Sequence, residues 1–98
     1  MTDAMPAGKE LDELIARHVF NQEYERGYAI PDYSTDISAA LEVLLLEKFI
    51  VNTVKIWRGT KTAKYWRCSL AHGGVSVIAD APTMQLAICR AALKAVMP

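Results

Sequence analysis

Cysteine is scarce in this chain: Cys68 and Cys89 are the two in 98 residues, with no CxxC spacing between them. No disulfide framework follows from that, and their strand-like and helix-like surroundings read as small buried apolar positions in a reducing compartment. Histidine is equally sparse. His18 and His72 have no second histidine or carboxylate at ligand spacing, so no metal site is expected. The longest apolar run, Leu41 to Leu46 broken by Glu42, falls far short of the roughly 20 residues that span a bilayer. Met1 to Gly8 lacks the basic segment and apolar run of a secretory leader. A phosphate-cradling loop is missing too, because Gly73-Gly74 reads as a turn between strands and opens no helix. Finally, eleven Lys and Arg balance eleven Asp and Glu, so the sign excess of a generic nucleic-acid or membrane binder is absent. These gaps predict a soluble intracellular protein with no cofactor and no membrane partner.

What the chain does contain is enough apolar material to fold. It is 52% hydrophobic and 22% charged, a globular profile of single-domain length. Residues 1–98 are read as one domain, with 1–8 a flexible lead. Leu11, Leu14, Ile15, His18 and Val19 recur at helical spacing, which predicts an amphipathic helix over Lys9 to Asn21 with acids in its first turn. Residues 22–33, with Gly27, Pro31 and three tyrosines (Tyr24, Tyr28 and Tyr33), read as a long loop that is either a recognition surface or packing. Ser34-Thr35-Asp36 supplies capping side chains for a second helix running to about Lys48, with Ile37, Ala40, Leu41, Leu44 and Leu45 as its buried stripe.

From Ile50 the residues become β-branched and aromatic. IVNTVKIW, KYWRCSL and VSVIA, separated by turns at Arg58-Gly59-Thr60 and His72-Gly73-Gly74, predict an antiparallel three-stranded meander. Asp80 and Pro82 are expected to open a third helix that buries Met84, Ile88, Ala91, Ala92 and Ala95 on one face, with Leu86, Cys89, Leu93 and Val96 beside them. The fold class is therefore α+β, in the order α-α-β-β-β-α.

LDELIARHVF at 11–20, PDYSTDISAALEVL at 31–44 and ADAPTMQLAICRAALKAV at 79–96 together resemble the phage ABA-sandwich (alpha-beta-alpha) domain family. The resemblance covers nearly the whole chain and departs from it at Thr83-Met84-Gln85-Leu86, where a more polar first turn is expected. It implies a phage or prophage origin and a three-layer sandwich, and it brings no enzymatic activity; together with the soluble intracellular reading above, the expected location is the host cytoplasm. The order α-β-β-β-α from the second helix onward is also that of double-stranded RNA-binding domains. Those read phosphates with lysines at the start of the last helix, where this chain has Asp80-Ala81-Pro82-Thr83-Met84, which argues against duplex RNA.

No nucleophile with a neighbouring base stands out, so no catalytic residue is assigned and the chain is read as non-enzymatic. Its most informative feature is a segregation of charge. Residues 1–47 hold ten acids and three bases, a net of −7, residues 48–79 hold six bases and no acid, and the rest adds +1. Strand alternation turns Val54, Ile56, Trp66, Cys68 and Leu70 inward and gathers Lys55, Trp57, Tyr65 and Arg67 on the other face. Bases among aromatics suit phosphate contact with base stacking, so these four residues are the candidate site for a nucleotide, single-stranded nucleic acid or protein partner. The competing expectation is that the first helix covers this face, with Leu11, Leu14 and Ile15 on Trp57 and Tyr65 and with Glu10, Asp12 or Glu13 meeting Lys55 or Arg67. The leading functional expectation is a binding protein for a host or phage protein, with inhibition of a host factor as one outcome and a homodimer as another candidate assembly.

Overall fold

The computed structural model describes residues 5–20, 30–46, 49–58 and 64–97, with backbone alone for 50–58 and 64. The first helix, α1, spans Lys9–Leu14 and continues as a single π-type turn over Ile15–Val19, where the Phe20 N–H donates to the Ile15 carbonyl at 3.2 Å. The α-helical part buries Leu11 and the π-type turn buries Ile15, Ala16 and Val19, with Leu14 and His18 half-buried. Also buried in the α-helical part is Asp12, one of the first-turn acids expected to complement the helix dipole.

Helix α2 spans Ile37–Leu44, with Asp36 in extended conformation accepting from the Ser38 N–H at 3.0 Å. Its buried residues are Ala39, Ala40 and Val43, while Ile37, Leu41 and Leu45 are exposed. The expected stripe is thus rotated about the helix axis. Ser34 is not the cap; it is buried and bonded to Asp12.

Strands β1 (Ile50–Arg58), β2 (Lys64–His72) and β3 (Val75–Ala81) pair antiparallel in the order β1-β2-β3, with an irregularity between Val51 and Thr53. Gly73 and Gly74, at φ 59° and 82°, form the two-residue turn that joins β2 to β3. Two successive positive φ values match the twist of such a hairpin and favour glycine. The last strand runs through Asp80 to Ala81, so the expected helix opening at Asp80 is corrected. Helix α3 covers Met84–Val96, and its cap is Thr83, whose hydroxyl accepts from the Leu86 N–H at 3.3 Å.

The α+β class therefore holds, with helices and an antiparallel sheet around one core. α3 lies directly on β2 and β3, and α2 and the π-type turn pack against α3. None of its residues from 84 to 96 is exposed, as expected of a helix covered all round. Ala87, Ala91 and Ala92, all fully buried, let neighbouring backbones come close. Enlarging one of them would overpack this centre at a cost of about 1–3 kcal/mol. Leu11, Ile15 and Val19 join the same core as Cys68, Leu70 and Ala79, so the first helix stands on the inner side of the sheet. The chain around it is anchored by side chains: Ser34 donates its N–H at 2.8 Å and its hydroxyl at 2.7 Å to Asp12 Oδ1 and accepts from the Gly8 N–H at 2.9 Å. The Arg90 Nε donates to the Met5 carbonyl at 2.9 Å. Of the tyrosine loop, Tyr24 and Tyr28 lie outside the described residues, while Tyr33 is buried and stacks on Phe20 at 4.9 Å.

Candidate site on the outer face of the sheet

Period-two alternation decides which residues reach this face. Along β2, Cys68 and Leu70 are buried and Tyr65, Arg67 and Ser69 are half-buried; along β3, Ala79 and Ala81 are buried while Ser76, Ile78 and Asp80 are exposed. The register sets Lys55 opposite Arg67 and Trp57 opposite Tyr65 on one side of β2. On the other side it sets Asp80 opposite Arg67, Ile78 opposite Ser69 and Ser76 opposite Ala71. The four residues singled out in the sequence thus occupy two adjacent cross-strand rows of one face. That face also carries Asp80 and Ile78, which sequence reasoning left out.

Asp80 changes the electrostatics. Its carboxylate takes two hydrogen bonds from Arg67, Nε to Oδ1 at 2.7 Å and Nη2 to Oδ2 at 3.0 Å. Such two-pronged pairing is the strongest geometry for this ion pair. Hydrogen bonding to Arg67 holds the Asp80 carboxyl below the usual carboxylate range, and the same bond raises the Arg67 guanidinium above its own. The guanidinium carbon also lies 5.7 Å from the centroid of the Tyr65 ring, within cation–π reach. Arg67 is therefore oriented by its neighbours within the face. The first helix is not its acid partner, and Asp12, proposed for that role, is engaged by Ser34.

The edge of the face is also built. β3 is an edge strand, and two of its carbonyls accept from α3: Asp80 from Arg90 Nη1 at 2.9 Å, and Ile78 from Lys94 Nζ at 3.3 Å. Occupied edge carbonyls blunt the backbone pairing an edge would otherwise offer. The exposed part is apolar at Ile78, 49% exposed, and at Val75, 62%.

The remaining chemical candidates are packed away. Burial pushes the Cys68 thiol up to about 12 and the Cys89 thiol higher still, the latter with help from the nearby Asp12 and Cys68. His72 ends β2 and tilts against Phe49 at 5.7 Å. Among the described residues no three His, Cys, Asp or Glu side chains are grouped to hold a metal ion, and no helix is long and apolar enough to cross a membrane. The signal for the missed Asp80 was available: Val75 to Ala81 continues the strand alternation through Asp80, with Pro82 after it.

Residues 13–93 match the phage ABA sandwich domain. Among solved structures, the chain is similar to a phage protein from Bacillus cereus ATCC 14579, at a TM-score of 0.74 and 26% identity, over 98% of this chain and 97% of that one. No curated protein matches it.

Proposed function

The chain belongs to the phage ABA sandwich domain family, and from that premise we propose that it is a non-enzymatic phage accessory protein that acts in the host cytoplasm by binding a protein of host or phage origin through the outer face of its sheet. The Arg67–Asp80 pair carries this reading. A phosphate site needs guanidinium N–H groups turned toward the ligand, whereas here Nε and Nη2 are held by an acid on the next strand. With that charge compensated, the face presents an aromatic ring at Tyr65 and exposed aliphatic surface at Ile78. Tyr, Trp, Arg and apolar side chains together are the composition of protein interfaces. If the captured protein is a host factor using the same surface for its own work, occupation makes this chain its inhibitor.

The test is affinity capture from the natural host, with and without phage, comparing the unaltered chain with Ile78→Lys. Ile78 is exposed, so the substitution should leave the fold intact. The reading expects a specific protein retained by the unaltered chain and lost from the variant. A capture profile indifferent to charge at both Ile78 and Ser76 would overturn it.

A second reading, an anionic ligand such as a nucleotide or single-stranded nucleic acid held by Lys55, Trp57, Tyr65 and Arg67, is favoured by the register that sets these four in adjacent rows. It predicts micromolar binding of a labelled oligonucleotide that weakens steeply with salt.

A further inference from the structure

Helix α2 carries an apolar ridge on the side turned away from its own core. Ala39, Ala40 and Val43 are buried where α2 packs on α3, while Ile37, Leu41 and Leu45 recur every fourth residue and are 38%, 41% and 80% exposed. Successive residues turn by about 100°, so the ridge centres about 150° round the helix from the buried residues. It is not the margin of the buried stripe. Three large aliphatics in one line, about 12 Å from end to end at roughly 1.5 Å per residue, exceed the scattered exposure normal for a soluble surface.

The charges around the ridge are of one sign. Residues 30–46 hold Asp32, Asp36 and Glu42 and no base, and all three acids are exposed. Glu42 lies three residues before Leu45 and so beside the ridge, and Asp36 caps the end where Ile37 begins it. The bases of α3, the helix on which α2 packs, are used elsewhere. Arg90 donates to the Met5 and Asp80 carbonyls and Lys94 to the Ile78 carbonyl.

We propose that this ridge is a docking site for a basic amphipathic helix of a partner protein, which lays an apolar stripe along Ile37, Leu41 and Leu45 and brings lysines or arginines to Asp36 and Glu42. The ridge selects a helix. Side chains spaced four apart form the ridges that interdigitate when two helices pack, and an amphipathic segment seats on an apolar surface through anchors at such spacings. The acids select a basic one, because they oppose an acidic helix, anionic lipid and nucleic acid alike. A second copy of this chain does not fit. α2 against α2 would set Asp36 and Glu42 of one copy against the same acids of the other, α3 has no exposed residue from 84 to 96, and Leu11, Ile15 and Val19 of α1 are buried. On the outer sheet face the described base, Arg67, is already paired with Asp80. The α2 site is separate from that face and does not depend on it.

The test titrates two labelled synthetic peptides with the full chain by fluorescence anisotropy. Each is an amphipathic sequence of about 18 residues, long enough to form helix, with a leucine stripe on one face; one carries lysines along the flanks and the other glutamates at the same positions. The lysine peptide is expected to bind and the glutamate peptide not. Leu41→Asp with Leu45→Asp should weaken binding by about tenfold or more, and Leu45→Gln, at the most exposed position, by less. Glu42→Lys should weaken the lysine peptide and admit the glutamate one. Circular dichroism checks that each variant is folded, and amide shift changes in the unaltered chain should cluster over residues 36–45. Ile78→Lys should leave peptide binding unchanged, which separates this site from the outer sheet face. Three results would overturn the proposal: no binding of the lysine peptide at millimolar concentration, equal binding of the two peptides, or binding that the double substitution leaves unchanged. An unaltered chain that gains mass with concentration and loses it with Leu41→Asp would also overturn it, in favour of a second copy.

Discussion

Arg67 on β2 and Asp80 on β3 stand directly opposite each other in the sheet register and share two charge-assisted hydrogen bonds of 2.7 and 3.0 Å. The pair closes over a separation of 13 residues, and it turns the middle of a basic face into a compensated one. It also fixes the guanidinium near the Tyr65 ring. The protein partner proposed for the face rests on this compensation more than on the number of bases around it.

Replacing Asp80 with asparagine should release that compensation. Asp80→Asn is expected to strengthen binding of a single-stranded oligonucleotide over the unaltered chain at low salt and to steepen the log–log salt dependence by about one. Fluorescence anisotropy reads both quantities. Equal binding by the two proteins would show that Arg67 was not restrained by its partner. The pair also has a pH signature. Because the folded-state value of Asp80 is lowered, its contribution to stability is present above the ordinary aspartate value of about 3.9 and is lost as pH falls through the lowered value. Carboxyl carbon shifts followed by NMR should place its titration below about 3.9.

How much of this was written in the sequence differs from one element to the next. The strands, the two-glycine turn and the gathering of Lys55, Trp57, Tyr65 and Arg67 in adjacent rows follow from period-two alternation, which the backbone enforces wherever one face is buried. The orientation of α2 does not. Val43, Leu44, Leu45 and Leu46 are consecutive apolar residues, so several directions satisfy the periodicity, and tertiary packing against α3 chose Ala39, Ala40 and Val43. Asp80 was misplaced because Pro82 is a good helix-opening signal, which ended the predicted strand at Ala79, two residues before its end at Ala81, and opened the helix three residues ahead of its cap, Thr83. The side of the sheet taken by the first helix was not legible at all. It follows from long-range contacts, such as Asp12 to Ser34, that no local pattern encodes.

Asp12 should be the most costly of the first-turn acids to remove. It is buried and accepts from both the N–H and the hydroxyl of Ser34, so Asp12→Ala strands the buried Ser34 N–H and should lower stability by about 2–3 kcal/mol. Glu10→Ala, on the exposed side of the same turn, should change it by less than about 0.5 kcal/mol. Urea denaturation of the two variants makes the comparison, and equal losses would contradict the role given to the Asp12–Ser34 contact.

Cys68 and Cys89 should be silent in the folded protein. Burial raises both thiols, so a disulfide-exchange reagent at pH 8 should leave the native chain unmodified and titrate both cysteines once denaturant is added. Their raised folded-state values also imply an alkaline limit. Stability from this source is complete below the unfolded thiol value of about 8.5 and declines above it, by ~1.4 kcal/mol per pH unit for each thiol that ionises in the unfolded chain alone. Cys68→Ala should flatten the alkaline slope even as it lowers stability at neutral pH.

The central claim, that the outer face of the sheet meets a protein, is tested most directly by a photo-crosslinking residue at Ser76, an exposed position on that face. Irradiation in the phage-carrying host should yield a discrete protein adduct of this chain that disappears when Ile78→Lys is added. Adducts with nucleic acid alone, or none that depend on Ile78, would contradict it.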